Sequence, residues 1–509
     1  MEAFDETIIA LATPPGEAAL HLIRMSGNQA EEIIERCFQT RSTAWMRGDV
    51  SVLCLGWFCD GEKKIDQVLV TRMRAPGSFT GETVVEINCH GGMVVVKRVL
   101  ETCCRCGARL ALPGEFSKRA FLNGKLDLVQ AEAIIDLINS KNELSADLAL
   151  AQLDGIVSET VTALREKLKD ILTSIEANID FPEEDVDLLQ TEALRQDLLH
   201  IRDAMAETLR GSKTGKIIRE GIRTILVGAP NVGKSSLLNA LLGEERAIVT
   251  DIPGTTRDEI HESANLGGLL LHLIDTAGLR ESENPIEILG IERTMKALEQ
   301  ADVVLYMVDA SLGTEQENGP GRVVTRESVR ARESVKARES VRARESVTVR
   351  ESVTAREKVT VSDMVTVRDM VTVREFEILK KYAEKTIILM NKFDLVEADK
   401  EKDFEEIGIP FSVKERIGFE KLETELRKRF IEQFDMYRQP FLANTRQIEA
   451  VRSGLLYVDN ALTALDEGVP VDLVSIDVLR ALEEVSLVTG HVVREDVVES
   501  IFARFCIGK

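Results

Sequence analysis

A glycine-rich segment carries the residues with the clearest chemical potential. Residues 228–235 read Gly-Ala-Pro-Asn-Val-Gly-Lys-Ser and fit the pattern G-x-x-x-x-G-K-[ST], with a strand-like run before it and a helical pattern after it. Glycines allow backbone N–H groups to turn inward around phosphate oxygens, and a helix N-terminus adds positive potential there. We expect Lys234 to act catalytically by reaching the β- and γ-phosphates of a nucleotide, and the Ser235 hydroxyl to ligate Mg²⁺.

Two further motifs follow in the order found in GTPases. GTTRD at 254–258 supplies Thr256, whose hydroxyl is able to close on Mg²⁺ when a γ-phosphate is present. DTAG at 275–278 ends an apolar run. We expect Asp275 to hold Mg²⁺ through water and the Gly278 N–H to sense the γ-phosphate.

NKFD at 391–394 ends another apolar run and identifies the base. The carboxylate of Asp394 is able to accept two hydrogen bonds from guanine, whereas adenine offers no such pair of donors. SVK at 412–414 is expected to be the last base-contacting loop, so the nucleotide is predicted to be GTP. The predicted nucleotide-binding residues are Asn231, Val232, Gly233, Lys234, Ser235, Ser236, Thr250, Asp251, Ile252, Pro253, Gly254, Thr255, Thr256, Asp275, Thr276, Ala277, Gly278, Asn391, Lys392, Asp394, Ser412, Val413 and Lys414.

Two positions bear on how a GTP molecule would be hydrolysed. Leu279 follows DTAG, where Ras-like proteins carry a glutamine that orients the attacking water. Leucine is unable to do this, and Glu287 is the candidate replacement, although by spacing alone it is equally a solvated helix residue. Asn231 within the glycine-rich segment has a carbonyl that could coordinate a monovalent cation beside the phosphates. Asn231 is equally interpretable as a structural turn residue.

The elements that must position these motifs read as a doubly wound α/β domain. Between Ile222 and about Phe430, the runs RTILVG, LLLHLID, DVVLYMVD and TIILMN are typical of buried parallel strands, with helical stretches between them. Helical periodicity begins at about Leu126, before this region, and resumes after Pro440. It predicts a helical domain that flanks the α/β domain on both sides, so the α/β domain is predicted to be an insertion.

The first 120 residues mix short β-rich runs with turn signals, which predicts a compact α+β domain. The chain is therefore predicted to be a multidomain protein of α/β and α classes. The predicted boundaries are 1–122 for the N-terminal α+β domain, 123–217 for the first part of the helical domain, 218–431 for the P-loop α/β domain, and 432–509 for the second part of the helical domain.

Residues 326–373 do not fit this scheme, because they consist of eight copies of a six-residue repeat that begins RESVRA. Six residues advance a helix by about 600°, so no fixed apolar stripe forms, and few large apolar residues are available to form a core. We interpret the block as a solvated expansion in a surface loop. The block has 11 basic and 8 acidic residues in an otherwise acidic chain, so a second interpretation is that it is a binding arm.

The composition is that of a soluble protein with a strongly acidic balance. The formal charge is −22, from 64 basic and 86 acidic residues among 509, which argues against a large basic surface for nucleic acid. No apolar run approaches the roughly 18 residues that cross a bilayer, and the acidic, proline-broken N-terminus is unlike a signal peptide. We expect a cytoplasmic protein with reduced thiols and no membrane contact. Cys103 and Cys106 form one CxxC, without a second pair to complete a zinc site.

The motifs, together with segments at both ends of the chain, resemble the MnmE (TrmE) family of the TrmE-Era-EngA-like GTPase superfamily. The segments that carry the resemblance are ATPPGE, RMSG, SFTGE-TVVE, HGG, LPGEFSKRAFLNGKLDL, IDFPEED, GTTRD, DTAGLR and the terminal IFARFCIGK. They extend over nearly the whole chain except the hexapeptide block. The end segments are absent from ordinary GTPases, so the resemblance is specific.

This resemblance implies an N-terminal domain that binds folate and dimerises, and an inserted G domain whose hydrolysis of GTP depends on potassium. It implies that Asn231, Thr250, Ile252 and Thr255 surround K⁺, with Thr250 and Ile252 contributing main-chain oxygens. It also places Glu287 at the position of the family's catalytic glutamate. The residues that match the family's contacts with a 5-formyl- or 5,10-methylene-tetrahydrofolate are Arg24, Glu86, Lys125 and Lys509.

The resemblance further implies a reaction on tRNA that needs a second protein. An aminomethyl or carboxymethylaminomethyl group is added to C5 of the wobble uridine, with one carbon from the folate. FAD is carried only by the flavoprotein partner MnmG (GidA), which joins the homodimer in a heterotetramer. Cys506 matches the family's C-terminal cysteine, and both a catalytic and a structural role for it stay open.

Two other functions remain compatible with parts of the sequence. A non-enzymatic GTP-dependent switch in ribosome or RNA assembly would need only the GTPase motifs, and would have no use for folate or for FCIGK. A folate enzyme regulated by an added G domain would turn over without a flavoprotein. The terminal motif and the N-terminal segments favour the tRNA-modifying GTPase over both.

Overall fold

The structure is a computed structural model that describes residues 6–48, 51–180, 188–244, 262–274, 296–313, 380–396, 407–431 and 440–509. The chain divides into two compact units, and the nucleotide motifs lie in the second. The first unit comprises Met1–Ser140, Ala146–Gly215 and Met436–Lys509, and the second comprises Lys141–Ser145 and Lys216–Asp435.

The N-terminal part of the first unit is built on one mixed sheet. Its described strands and helices are β1 (Ile8–Leu11), β2 (Leu20–Ser26), α1 (Ala30–Cys37), β3 (Phe38–Gln39), α2 (Thr43–Met46), β4 (Cys54–Asp60), β5 (Lys63–Met73), β6 (Val84–His90), α3 (Met93–Arg105), β7 (Arg109–Leu110) and α4 (Glu115–Leu122). The strand order is β3-β4-β5-β6-β2-β1-β7, antiparallel except for the β1–β7 pair. The α+β prediction for this region is confirmed.

Alternation along β1 shows how this sheet buries both faces. Ile9 packs into a core formed with α1 and α3, whereas Ile8 and Ala10 pack on the opposite side with Phe116 of α4. Successive strand residues point to opposite faces, so one four-residue strand contributes to two cores. The sheet is therefore covered on both faces at β1, by α1 and α3 on one side and by α4 on the other.

The described elements between residues 128 and 220 are all helices. They are α5 (Leu128–Asn139), α6 (Glu143–Asp154), α7 (Ile156–Asp180), α8 (Leu188–Arg210) and α9 (Ser212–Glu220). The start of α5 is a capping box: Asp127 accepts from the Gln130 N–H, and the Gln130 side chain accepts from the Asp127 N–H. Two of the helix's otherwise unpaired N–H groups are thereby satisfied, which fixes where the helical region begins.

The second unit contains a six-stranded sheet among its described residues. The elements are β8 (Ile222–Gly228), α10 (Lys234–Glu244), β9 (Glu262–Leu266), β10 (Leu269–Ile274), β11 (Val303–Asp309), β12 (Thr386–Asn391), β13 (Ile409–Pro410) and α11 (Phe419–Phe430). The strand order is β13-β12-β11-β8-β10-β9. All pairs are parallel except β9–β10, so the four parallel strands predicted from RTILVG, LLLHLID, DVVLYMVD and TIILMN are confirmed.

Three helices lie between residues 445 and 502 and belong to the first unit. They are α12 (Thr445–Asp466), α13 (Val471–Thr489) and α14 (Glu495–Phe502). Buried residues of α12 and α13 form one cluster with those of α7 and α8, and α14 packs against α5 through Phe502 and Leu128. Arg446 donates to both carboxylate oxygens of Glu132, at 2.8 Å each, which ties α12 to α5 by a bidentate pair.

Candidate functional site

The glycine-rich segment forms a tight turn between β8 and α10. Gly228 has φ 148°, Asn231 has φ 65° and Gly233 has φ 105°. A Cβ on Gly233 would lie 2.3 Å from Nδ2 of Asn391, and one on Gly228 would lie 2.3 Å from the Met307 carbonyl oxygen. Both glycines are required by close approach as well as by backbone angle. Asparagine is among the few other residues that adopt positive φ readily, which gives Asn231 a structural reason to occupy its position.

Lys234 begins α10 and folds back over this turn. Its Nζ donates to the carbonyl oxygens of Gly228 at 2.7 Å and Ala229 at 2.8 Å. The ammonium is thus held at the mouth of a loop whose N–H groups are those predicted to surround phosphate oxygens. Ser235, on the same helical turn, is exposed.

Asn391, the last residue of β12, joins the glycine-rich turn to the base-reading segments. Its buried Nδ2 donates to the Val232 carbonyl oxygen at 2.6 Å, and its Oδ1 accepts from the Val413 N–H at 3.3 Å. One side chain therefore connects the segments at 228–235, 391–394 and 412–414. The phosphate-binding and base-binding predictions meet in the structure at this residue.

We expect Asn391→Ala to weaken GTP binding by about 5- to 150-fold, because a buried carbonyl left without its donor costs about 1–3 kcal/mol. Fluorescent GTP titration measures the change. Asn391→Asp keeps an acceptor for the Val413 N–H but removes the donor to Val232, so it should lose nearly as much. Asn265→Ala, on the far edge strand β9, is the matched control and should bind normally. Normal binding by Asn391→Ala would contradict the linking role.

Asp394 is oriented by the segment at 412–414. Its Oδ1 accepts from the Ser412 hydroxyl at 2.6 Å, and the Phe393 N–H donates to the Phe411 carbonyl oxygen at 3.0 Å. Lys392 between Asn391 and Phe393 takes φ 60°, which turns the chain into a short 3₁₀ segment, Phe393–Leu395. The carboxylate predicted to read guanine is therefore fixed in direction before any base arrives.

One acidic residue of this region is missing from the sequence-based set. Asp309 ends β11 in register with Asn391, and its buried carboxylate contacts Nζ of Lys392. Its Oδ1 also accepts from the N–H and the hydroxyl of Ser311, at 3.0 and 2.6 Å. Asp309 thus holds Lys392 beside the base-reading carboxylate. The available signal was its place at the end of the apolar run DVVLYMVD, the position at which ligands of open α/β sheets bind.

Much of the remaining predicted set lies outside the described residues, so the structure says nothing of it. The residues concerned are Thr250, Asp251, Ile252, Pro253, Gly254, Thr255, Thr256, Asp275, Thr276, Ala277, Gly278 and Glu287, and the hexapeptide block at 326–373 lies outside as well. The Mg²⁺ and K⁺ ligand sets are therefore represented here by Ser235 and Asn231 alone.

A second group of predicted residues comes together in the first unit. Arg24 of β2 pairs with Glu86 of β6, its register partner, at 2.8 Å from Nη2 to Oε1. The guanidinium also lies 5.9 Å from the ring centre of Phe79 and 6.0 Å from that of Phe116, neither of which the sequence singled out. Lys125 donates from Nζ to the Pro76 carbonyl oxygen at 3.1 Å, so it contacts the segment that also carries Phe79.

The C-terminal tail reaches this same group. A Cβ on Gly508 would lie 2.3 Å from the Leu11 carbonyl oxygen, and the Lys509 N–H donates to the Cys506 carbonyl oxygen at 3.3 Å. Burial and the positive charge of Arg24 lower the pKa of the Lys509 ammonium, whereas the Cys506 thiol opposes this. Lys509 and Arg24 are thus close like charges, and Cys506 is exposed beside them.

No cluster of three or more His, Cys, Asp and Glu side chains among the residues that the structure describes has an arrangement suited to a metal ion. No helix in that part of the chain is long and apolar enough to span a membrane.

The turn before α10, the end of β12 and the segment at 412–414 together define a P-loop protein that binds guanine nucleotides. Comparison with known families shows which family of guanine-nucleotide-binding proteins this is. The profile for the MnmE helical domain matches residues 128–506, and that for the GTP-binding protein TrmE N-terminus matches residues 7–125. The chain belongs to the MnmE family.

Individual relatives match over almost the full length. The tRNA modification GTPase MnmE of Desulfitobacterium hafniense is 46% identical, over 99% of this chain and 100% of its own. The protein of the same name from Acetivibrio thermocellus is 37% identical, over 99% of each chain. Among solved structures, the G domain of the T. maritima FeoB iron transporter is 21% identical and covers 41% of this chain and 97% of its own, with a TM-score of 0.22.

Proposed function

We propose that this protein hydrolyses GTP and, with a FAD-binding partner of the MnmG type, modifies the wobble uridine of tRNA at C5 with a one-carbon unit from folate. The observation that carries the proposal is the joining of the P-loop to the guanine-reading segments through Asn391. The names of the full-length relatives supply the tRNA substrate and the modification. The partner and the aminomethyl or carboxymethylaminomethyl product are inferred from family membership.

The GTP site would act mainly by positioning and charge stabilisation. Lys234 would leave the carbonyl oxygens of Gly228 and Ala229 to donate to the β- and γ-phosphates, where negative charge develops during transfer. Ser235 has the oxygen donor and the helix-start position that suit Mg²⁺, and Thr256 would complete the pair of protein ligands. The chemistry that Mg²⁺ supplies there is neutralisation of charge on the phosphate oxygens. Glu287 would orient the attacking water.

Potassium would assist at Asn231 together with Thr250, Ile252 and Thr255. The support is that Asn231 is exposed in a left-handed turn immediately before the phosphate-binding N–H groups. An amide oxygen at that place is a suitable hard ligand for K⁺, which would take the position of an arginine finger.

We expect GTP hydrolysis to be strongly stimulated by K⁺ relative to Na⁺ at equal ionic strength. The ratio should fall toward one in Asn231→Ala, because the variant removes the one side-chain ligand that the structure describes. Asn231→Gly is the matched control for backbone strain, since glycine adopts φ 65° without cost and also lacks the amide. Equal rates of the parent protein in both salts would contradict the K⁺ site and would favour a GTP-dependent switch.

A reduced folate would bind between β2, β6 and the C-terminal tail. Its glutamate carboxylates suit the positive charges of Arg24 and Lys509. An anion there would offset the burial, and after it the repulsion by Arg24, that lower the pKa of the Lys509 ammonium. Glu86 would accept from the pterin ring, while Phe79, which is partly exposed, offers a flat apolar surface. Lys125 borders the same group. Cys506 is exposed beside this group.

The domain boundaries that we propose are those predicted from the sequence: 1–122, 123–217, 218–431 and 432–509. In this arrangement the G domain is inserted into the helical domain, which accords with the discontinuous first compact unit. Dimerisation would run through the N-terminal domain, and two flavoprotein subunits would complete a heterotetramer. The role of residues 326–373 lies outside this proposal.

We expect purified protein, flavoprotein partner, tRNA, GTP and methylene-tetrahydrofolate to yield a C5-modified uridine in nucleoside mass spectrometry. Omitting either folate or the partner should abolish the product. Arg24→Met should reduce product and folate binding while leaving GTP hydrolysis in K⁺ unchanged. Arg36→Met is the matched control, because Arg36 is an exposed residue of α1. Product without the partner would contradict the two-protein reaction, and product without folate would contradict the carbon source.

A further inference from the structure

Three thiols meet in the N-terminal domain, away from the residues used so far. Cys37 is the last residue of α1, Cys103 lies in the last turn of α3, and Cys106 is the residue that follows α3 and caps it. Cys37 Sγ lies 3.5 Å from Cys106 Sγ. Cys103 and Cys106 are three positions apart on one side of a helix end, so both face Cys37.

The three thiols differ in burial and in acidity. Cys37 and Cys103 are almost fully buried, whereas Cys106 is half-buried and borders solvent. Hydrogen bonds from Cys103 first, and then from Cys106, lower the pKa of the Cys37 thiol to about 7 against the effect of burial. Burial raises the pKa of Cys106, and the hydrogen bond to Cys37 raises that of Cys103 well above its ordinary value. Cys37 is therefore the member of the trio that carries thiolate near neutral pH.

We propose that Cys37 and Cys106 form a reversible disulfide, and that this trio is an oxidation site of the protein for small peroxides. The Cys37 thiolate attacks hydrogen peroxide, whose O–O bond breaks to leave Cys37 sulfenic acid and hydroxide. The Cys106 thiol then attacks the sulfenic sulfur, forming the S–S bond and releasing water. Two thiols are oxidised and one peroxide is reduced to the level of water. A dithiol restores the pair by thiol–disulfide exchange.

Three neighbouring thiols could also bind a metal ion, which is the alternative to a disulfide. The trio does not have an arrangement suited to holding an ion, as no such group occurs in the described residues. Covalent linkage of the two sulfurs is the chemistry that this geometry favours.

The bond would join elements that are distant in the chain. Cys37 and Cys106 are 69 positions apart, and the segment after Cys106 continues directly into β7 beside β1. Oxidation would thus fasten the end of α1 to the connection between α3 and β7. Closing so long a loop restricts the unfolded chain, so the N-terminal domain should unfold at higher denaturant when oxidised.

Trypsin separates the three thiols, which makes the bond easy to locate. Cleavage after arginine gives peptides 37–41, 99–105 and 106–109. The full-length protein is treated with hydrogen peroxide, alkylated, digested without reductant and analysed by mass spectrometry. We expect a linked 37–41/106–109 product that dithiothreitol removes, a loss of two of the eight titratable thiols, and a higher urea midpoint.

Variants distinguish this site from general thiol oxidation. Cys106→Ser, at a half-buried helix end, should abolish the linked product while leaving far-UV circular dichroism unchanged. Cys104→Ser is the matched control on the same helix turn and should leave the product intact, as should Cys89→Ala in the buried β6. Equal oxidation of Cys104 and Cys106 with Cys37 still open to alkylation after unfolding would overturn the proposal. So would the same linked product from protein oxidised in denaturant.

Discussion

Asp394→Asn is expected to weaken GTP binding by about 10²- to 10⁴-fold. The carboxylate would accept two hydrogen bonds from guanine, and each hydrogen bond to a charged group contributes about 1.5–3 kcal/mol. The bond from Ser412 fixes the direction of the side chain at 2.6 Å, so the loss should fall on base recognition rather than on the fold of the loop. Calorimetric titration with GTP measures the change.

A second nucleotide makes this prediction specific to the base. Xanthine carries a carbonyl where guanine carries its amino group, and the asparagine amide is able to donate to that carbonyl. Asp394→Asn should therefore bind xanthosine triphosphate more tightly than GTP, reversing the order of the parent protein. Glu415→Gln is the matched control, because Glu415 is exposed in the same loop. Equal losses for both nucleotides would show that the substitution damages the loop and would contradict base reading by Asp394.

Lys234→Gln is expected to lower kcat/KM for GTP hydrolysis by about 10²- to 10³-fold, the usual effect of removing one donor aimed at developing charge. Glutamine is chosen because its amide is able to donate to the carbonyl oxygens of Gly228 and Ala229, as Nζ does. The turn should consequently keep its shape while losing the cation. Phosphate release under K⁺ measures the rate.

The control for Lys234 is Lys216→Gln, because Lys216 is an exposed residue of α9 and, among the described residues, pairs only with Glu220, at 3.8 Å. It should retain full activity. Thermal unfolding of Lys234→Gln should match the parent protein, which separates catalysis from stability. Retention of more than a tenth of the parent rate in Lys234→Gln would contradict the assigned role, since that would correspond to less than about 1.4 kcal/mol of transition-state stabilisation.

Local sequence signals predicted the nucleotide site because each motif is continuous in the chain. The glycine-rich turn, the end of β12 and the segment at 412–414 can each be recognised from a few consecutive residues. The apolar runs predict the buried parallel strands that carry them. No comparable signal predicts β9, whose residues ESANL are mostly polar or small. It exists because Gly267 and Gly268, with φ 58° and 80°, turn the chain back into an antiparallel hairpin with β10.

Contacts between distant residues were the part that sequence could not predict. Arg119 is fully buried between Glu82 and Glu115, and Glu82 is 37 positions away along the chain. Spacing alone pairs Arg119 with Glu115, four residues earlier on α4. It does not pair Arg119 with Glu82, because the packing of the completed fold decides which distant charges meet. The same holds for Asp309 with Lys392 and for the Cys37–Cys106 approach, both of which depend on the completed fold.

The seating of Gly508 against Leu11 has a consequence for how the protein is made. The first strand is synthesised early, whereas Gly508, its neighbour in the fold, is added 497 residues after Leu11. At about 5–20 residues per second, roughly 25–100 s separate the two. During that interval the N-terminal domain lacks Lys509 beside Arg24, so the folate site that we propose is incomplete in a nascent chain.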